Sequence, residues 1–188
     1  MAGRSRSLGW LVDGVRSVVT RLVPDPDAAL LSPPLTFTDD RGRTVLLRPY
    51  DLADFEALVE MYDDFDPTQR AQGTPPLREA DVRTWLEKVL AGPSVVACVD
   101  DRLVGHVVFV PDGTDRHELA VFVHQDYQHA GIGTHLVRAG LGHAKREGVT
   151  YVWLSVEVWK RGAQKLYSNV GFSTVNPMGS THRMSRYL

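Results

Sequence analysis

The chain has 188 residues, 43% of them apolar, which is enough for one sizeable core and does not demand two full domains. Its net charge of -2 argues against a protein that lives on nucleic-acid phosphates, since such binding needs a basic face, and no nucleic-acid partner is expected. The single cysteine, Cys98, rules out an intrachain disulfide and fits a reducing, cytoplasmic setting; its place in the apolar run Val95 to Val99 marks it as core filling.

Residues 1–23 carry Arg4, Arg6, Arg16 and Arg21 together with Leu8, Leu11, Val15, Val18 and Leu22 at helical spacing, the pattern of an amphipathic helix. Its apolar runs fall far short of the roughly 20 residues a membrane-spanning helix needs. The expectation is a helix that docks on its own protein or a partner, or lies on a membrane surface through its arginines and Trp10. Pro24, Pro26, Pro33 and Pro34 then read as a linker, which divides the chain into an N-terminal segment, 1–40, and a domain, 41–188.

Within the domain, Thr44 to Pro49 reads as a strand, and Asp51 as the N-cap of a helix with Leu52, Phe55, Leu58, Val59 and Tyr62 on one face. A loop rich in acids and prolines follows, Asp63 to Pro76, whose Asp63, Asp64 and Asp66 read as a solvated surface; then comes a helix from Arg78 to Leu90. Ser94 to Asp100 and Arg102 to Val110 form a hairpin pattern, and His117 to Val123 is the next strand. Gly131 to Lys145 repeats Ile132, Leu136, Val137, Leu141 and Ala144 as one helix face that Gly148 stops. Thr150 to Val158 is apolar enough to read as a strand buried on both faces. A helix from Trp159 to Asn169 and strands Gly171 to Val175 and His182 to Tyr187 complete an α/β (mixed α+β) order.

The junction Gln128 to Gly133, Gln-His-Ala-Gly-Ile-Gly, is the most informative segment, because a strand that ends in glycines and restarts as a helix leaves backbone N–H groups aimed outward at a helix N-terminus. Such a place suits a phosphate. A Walker loop would need Lys then Ser or Thr after the second glycine, where Thr134 and His135 stand; the dinucleotide fingerprint would need a small residue where Leu136 stands.

The segment instead resembles the glycine loop of the Gcn5-related N-acetyltransferase (GNAT) superfamily: Gln or Arg, two residues, Gly, one residue, Gly or Ala. Leu47-Arg48-Pro49, Val104-Gly105, and Leu166-Tyr167 followed by Gly171-Phe172 add matches in the same order, so the resemblance runs from about Thr44 to Leu188. It implies a central, mostly antiparallel mixed sheet, splayed at the cofactor site and flanked by helices, which binds acetyl-CoA as co-substrate and moves its acetyl group to a primary amine. A protein lysine is weakly favoured as acceptor; a small-molecule amine, a protein N-terminus, and a non-catalytic acyl-CoA-binding module remain alternatives.

The resemblance also implies roles. Glu118 stands where relatives keep a glutamate base, with Glu157 as second choice and His117 as a minor helper, and Tyr167 stands in the general-acid position. The backbone of Val121, Phe122 and Val123 would meet the acetyl and pantetheine groups. Gln128, His129, Ala130, Gly131, Ile132, Gly133 and Thr134 would hold the pyrophosphate. Two departures are visible: Lys160 replaces an asparagine that relatives bond to the cofactor, and His129 and Ala130 replace the usual Gly and Arg. The seven histidines show no ligand spacing, so no metal is expected.

Overall fold

The computed structural model describes residues 26–70, 74–176 and 179–188. The helix expected over residues 1–23 lies outside them. A hairpin comes first, β1 (Leu35–Thr38) and β2 (Thr44–Pro49), followed by helices α1 (Phe55–Asp63) and α2 (Glu79–Val89). Strands β3 (Ser94–Val99), β4 (Arg102–Pro111) and β5 (His117–Val123) lead into the long helix α3 (Ile132–Arg146). The chain ends with β6 (Tyr151–Glu157), α4 (Arg161–Asn169), β7 (Ser173–Asn176) and β8 (Thr181–Tyr187).

The eight strands make one sheet in the order β1-β2-β3-β4-β5-β6-β8-β7, antiparallel at every pair except β5–β6. This is the mixed α+β architecture that the resemblance implies. Two cores lie on opposite faces. On one, Leu136, Val137 and Leu141 of α3 pack on Val107, Phe109 and Leu119; on the other, Leu58, Tyr62, Val82 and Leu86 of α1 and α2 pack on Val96, Val108 and Phe122.

Local chemistry sets the joints. Asp51 caps the turn before α1 in a capping box with Asp54, and Asp54 also takes two hydrogen bonds from Arg48 at 2.6 and 2.7 Å, which ties the end of β2 to the start of the helix. The pairing holds the Asp54 carboxyl below its usual range.

Strand β1 is an addition to what the sequence pattern suggested. Leu35 and Phe37 alternate inward onto the α3 core, and Phe37 stacks on His135 with ring centroids 3.8 Å apart. Residues 27–34, expected as linker, lie along α3: the N–H of Leu31 donates to the carbonyl of Arg138, Arg138 donates back to Ala29, and Arg146 donates to Pro33. Asp27 accepts from Arg186 of β8 and from Lys145 of α3. Residues 27–38 thus pack against α3, β2 and β8.

Gly142 makes the approach of that segment possible, because a Cβ there would stand 2.0 Å from the Leu31 carbonyl oxygen. In an open helix, Gly to Ala gains about 1 kcal/mol. Here Gly142→Ala is expected to lose about 1–3 kcal/mol through overpacking, read as a lower urea midpoint; a gain would show that the segment does not sit on α3.

Strand β6 departs from the expectation of burial on both faces. Val152, Leu154 and Val156 are buried, whereas Tyr151, Trp153, Ser155 and Glu157 are only partly so. The buried set faces the α3 core, and the alternate set faces the other side of the sheet, where α1 and α2 pack on β4.

Candidate active site

Strands β5 and β6 are paired only at His117↔Val152 and Glu118↔Trp153; beyond Glu118 they separate. The gap exposes a backbone edge. The N–H of His124 donates to Val104 on β4, so by the alternation of an antiparallel ladder Phe122 also turns its polar groups to β4, while Leu119, Val121 and Val123 turn theirs into the gap. The side chain of Gln128 has taken one of these groups, donating to the Val123 carbonyl at 2.9 Å.

A cleft of about 370 Å³ fills the gap, lined by Val121, Val123, Tyr127, Gln128, His129, Ile132 and Gly133 on the β5–α3 side and by Ser155, Glu157, Lys160, Ala163, Leu166 and Tyr167 on the β6–α4 side. Adjoining it lies a smaller hollow of about 140 Å³ bordered by Thr74, Glu118, Ala120, Phe122 and Ser155. Val121, Ser155 and Tyr167 line both. One groove thus enters from the glycine loop and another from the α1–α2 face, meeting at Tyr167.

The glycine loop has the geometry of an anion site. Gly131, at φ +83°, caps α3 in the left-handed region and offers no side-chain cap, so the first N–H groups of the helix keep their outward aim. A Cβ on Gly133 would meet only a Val123 methyl at 3.7 Å, which leaves an open approach. Acetyl-CoA fits such a donor set: a pyrophosphate for backbone N–H groups and an amide-bearing arm for the free strand edge. The β1–β2 turn borders the same loop, with Arg41 donating to the carbonyls of Asp126 and Gln128 at 3.2 and 3.3 Å and Arg43 lying over the ring of Tyr127.

The two proton-handling candidates have distinct surroundings. Burial pushes the Glu118 carboxyl up; Arg183 draws it down and Asp112 pushes it up further. Burial, with the Glu157 carboxylate adding to it, pushes Tyr167 up to about 12, so its hydroxyl keeps its proton at neutral pH. Glu157 itself is 3.2 Å from the ammonium of Lys160. That ion pair engages both the second-choice base and the lysine that replaces the expected asparagine.

Of the residues singled out in the sequence, Val121, Val123, Gln128, His129, Ile132, Gly133, Lys160 and Tyr167 line the main cleft, and Glu118 lines the adjoining hollow. Phe122, Ala130, Gly131 and Thr134 do not line the main cleft. The ring of Phe122 is packed among Tyr62, Phe65 and Trp85 on the opposite face, and Ala130 is buried under the loop. His117 follows the alternation to the face opposite Glu118, so it does not reach the same proton. Asp64 and Asp66 are structural: Asp64 joins His124 and Arg102, and Asp66 caps the turn at Thr68. Sequence reasoning missed Tyr127, Ser155 and Ala163; Ser155 was detectable, since it lies two residues before Glu157 on one strand face. Among the described residues no group of three metal-ligating side chains converges, and no helix is long and apolar enough to cross a membrane.

These features define a sheet split between two strands, with a helix N-terminus at one end of the opening. The family model described as "Acetyltransferase (GNAT) family" matches residues 55–172, and the chain belongs to that family. It is an acetyltransferase. Among solved structures it is similar to the GNAT domain of S. lividans PAT, at 18% identity and TM-score 0.68 over 82% of this chain and 96% of that one. It is also similar to the ribosomal-protein-alanine N-acetyltransferase from Brucella melitensis, at 22% identity and TM-score 0.63 over 76% and 99% of the two chains. A third is the paia N-acetyltransferase from Thermoplasma acidophilum in complex with coenzyme A, at 16% identity and TM-score 0.59 over 77% and 99%. No curated protein sequence matches the chain.

Proposed function

We propose that the protein transfers the acetyl group of acetyl-CoA directly to a primary amine, with Glu118 as base and Tyr167 as acid. The observation that carries this reading is the position of Tyr167, which lines both the cleft from the glycine loop and the hollow that holds Glu118. Acetyl-CoA supplies an activated thioester carbonyl. The backbone of Val121 and Val123 orients it, and the glycine-loop amides, with Gln128, hold the phosphate end. An amine that enters past Glu118 is mostly protonated at neutral pH, so it must shed a proton before it can attack. Glu118 takes that proton through a water; the new C–N bond forms, the C–S bond breaks, the Tyr167 hydroxyl gives its proton to the departing sulfur, and the second proton that the acylated nitrogen sheds returns to the Tyr167 phenolate. The acceptor is a primary amine of a protein or a small molecule, with a protein lysine the first to assay.

The test is free-thiol release with a panel of amines. Because burial raises the Glu118 carboxyl, the acid limb of the rate is expected above the ordinary glutamate range, with activity lost as pH falls and Glu118 becomes protonated. Glu118→Gln is expected to lower kcat about a hundredfold and to remove that limb. Saturable CoA binding without thiol release from any amine would instead identify a non-catalytic acyl-CoA-binding module.

A further inference from the structure

Beyond Glu118, the acceptor side of the sheet continues onto β6 and β8, where α1 and α2, which pack on β4, do not extend. Trp153 is paired with Glu118 across the β5–β6 contact, so the two side chains share a face. Its indole is fixed: the ring N–H donates to Asp112 at 2.9 Å, and the guanidinium of Arg183 lies 3.8 Å from the ring centroid. Arg183 stands opposite Ser155 in the β6–β8 register, and Ser155 lines both parts of the cleft. Arg183 is exposed and makes no ion pair among the described residues.

A guanidinium carbon 3.8 Å from an aromatic centroid is within cation–π range, and the exposure of Arg183 leaves its N–H groups able to meet a carboxylate. Neighbouring strands are about 5 Å apart, and Arg183 reaches back from β8 over the β6 tryptophan. Over Trp153 the guanidinium stands about one strand spacing from the strand that carries Glu118, whose carboxyl its charge already draws down. We propose that Arg183 receives a carboxylate of the acceptor, so the substrate class is a primary amine whose molecule also bears a carboxylate able to reach Arg183 while the amine stands at Glu118. This rests on the amine-acetyltransferase reading given above. Glu118 takes the amine end, Arg183 the acid end, and Ser155 lies between them. The same chemistry is offered by a free ω-amino acid and by a peptide with an acidic residue beside its lysine.

Thiol release is measured for γ-aminobutyrate against its amide, and for a peptide containing Lys-Asp against one containing Lys-Asn, with wild type, Arg183→Ala and Arg183→Lys. In at least one pair, the acidic acceptor is expected to exceed its neutral partner about tenfold in kcat/KM, the size of one charge-assisted pair. The pair that shows it tells the two sources apart. Arg183→Ala is expected to abolish the preference through the acceptor KM, leaving the KM for acetyl-CoA in place, and Arg183→Lys to restore only part of it. Thiol release without a preference in either pair, or a preference that survives Arg183→Ala, overturns the assignment of Arg183 alone. Absence of thiol release with every amine overturns the amine-acetyltransferase reading and this inference with it.

Discussion

Tyr167→Phe is expected to lower kcat about a hundredfold while the affinity for acetyl-CoA stays within a factor of two. The substitution removes one oxygen and keeps the ring, which packs edge-on against Phe172 at 5.8 Å between centroids, so the wall of the cleft survives. What is lost is the proton donor at the meeting point of the two grooves. Burial and the Glu157 carboxylate push the phenol up to about 12, so wild type holds its proton across the whole range in which the protein can be assayed. No alkaline fall-off from this group is therefore expected below about pH 10. Without the hydroxyl the sulfur leaves as a bare thiolate in a half-buried cleft, and a hundredfold loss corresponds to about 2.7 kcal/mol of transition-state stabilisation. Binding is expected to be spared, because the proposed function rests it on main-chain groups of β5 and the glycine loop. Thiol-release kinetics and calorimetry with acetyl-CoA check the two halves; a kcat within twofold of wild type would remove Tyr167 from the reaction.

The parts of this site legible in the sequence are those with local causes. Gln128 to Gly133 announce a helix N-terminus through their own backbone requirements, and Leu166-Tyr167 with Gly171-Phe172 sit at a spacing that one helix and its exit turn explain. Asp51 is a cap because Asp54, three residues on, completes the box with it. What escaped reading depends on partners far away in the chain. Phe122 lies between two cleft-facing residues, and only its ladder with β4 and the aromatic cage of α1 and α2 turn it away from the cofactor side. Ser155 was hidden by the apolar run of β6, which reads as buried on both faces unless the separation from β5 is known. Lys160 reads as a free cation near a phosphate, but the pair with Glu157 engages its charge. The four residues of β1 alternate correctly, yet two prolines precede them. Their place at the sheet edge is decided by α3, whose Gly142 lets the incoming segment lie close.

The second large effect concerns stability rather than catalysis, and arises at His106. This side chain is fully buried on β4, on the face that carries α1 and α2, and its neighbours there are uncharged: Tyr62 at 2.8 Å from Nδ1, with Val96 and Phe122 opposite it in the register. Burial keeps Tyr62 a phenol, and a phenol proton needs an acceptor, so the Tyr62 hydroxyl donates to Nδ1 and the histidine is neutral with its proton on Nε2. Nε2 has no partner. A second proton would place an uncompensated charge in the core, and burial lowers the His106 pKa to about 3. An unfolded chain takes up that proton near the ordinary value of 6.5. Between those limits the unfolded state binds more protons than the folded one, so stability falls as the pH drops, by up to about 1.4 kcal/mol per unit. From pH 7 to pH 4.5 the loss from this residue alone is expected to be about 2.5 kcal/mol. Carboxylates such as Asp54 also lose stability in acid, so the measurement is a difference. Urea unfolding at the two pH values is compared between wild type and the Tyr62→Phe, His106→Leu double variant, which removes both hydrogen-bond partners and leaves neither orphaned. The carboxylate part is common to both and cancels, and wild type is expected to lose about 2.5 kcal/mol more than the variant. Equal losses would mean that His106 accepts a proton in the folded protein, and that its side of the core admits water.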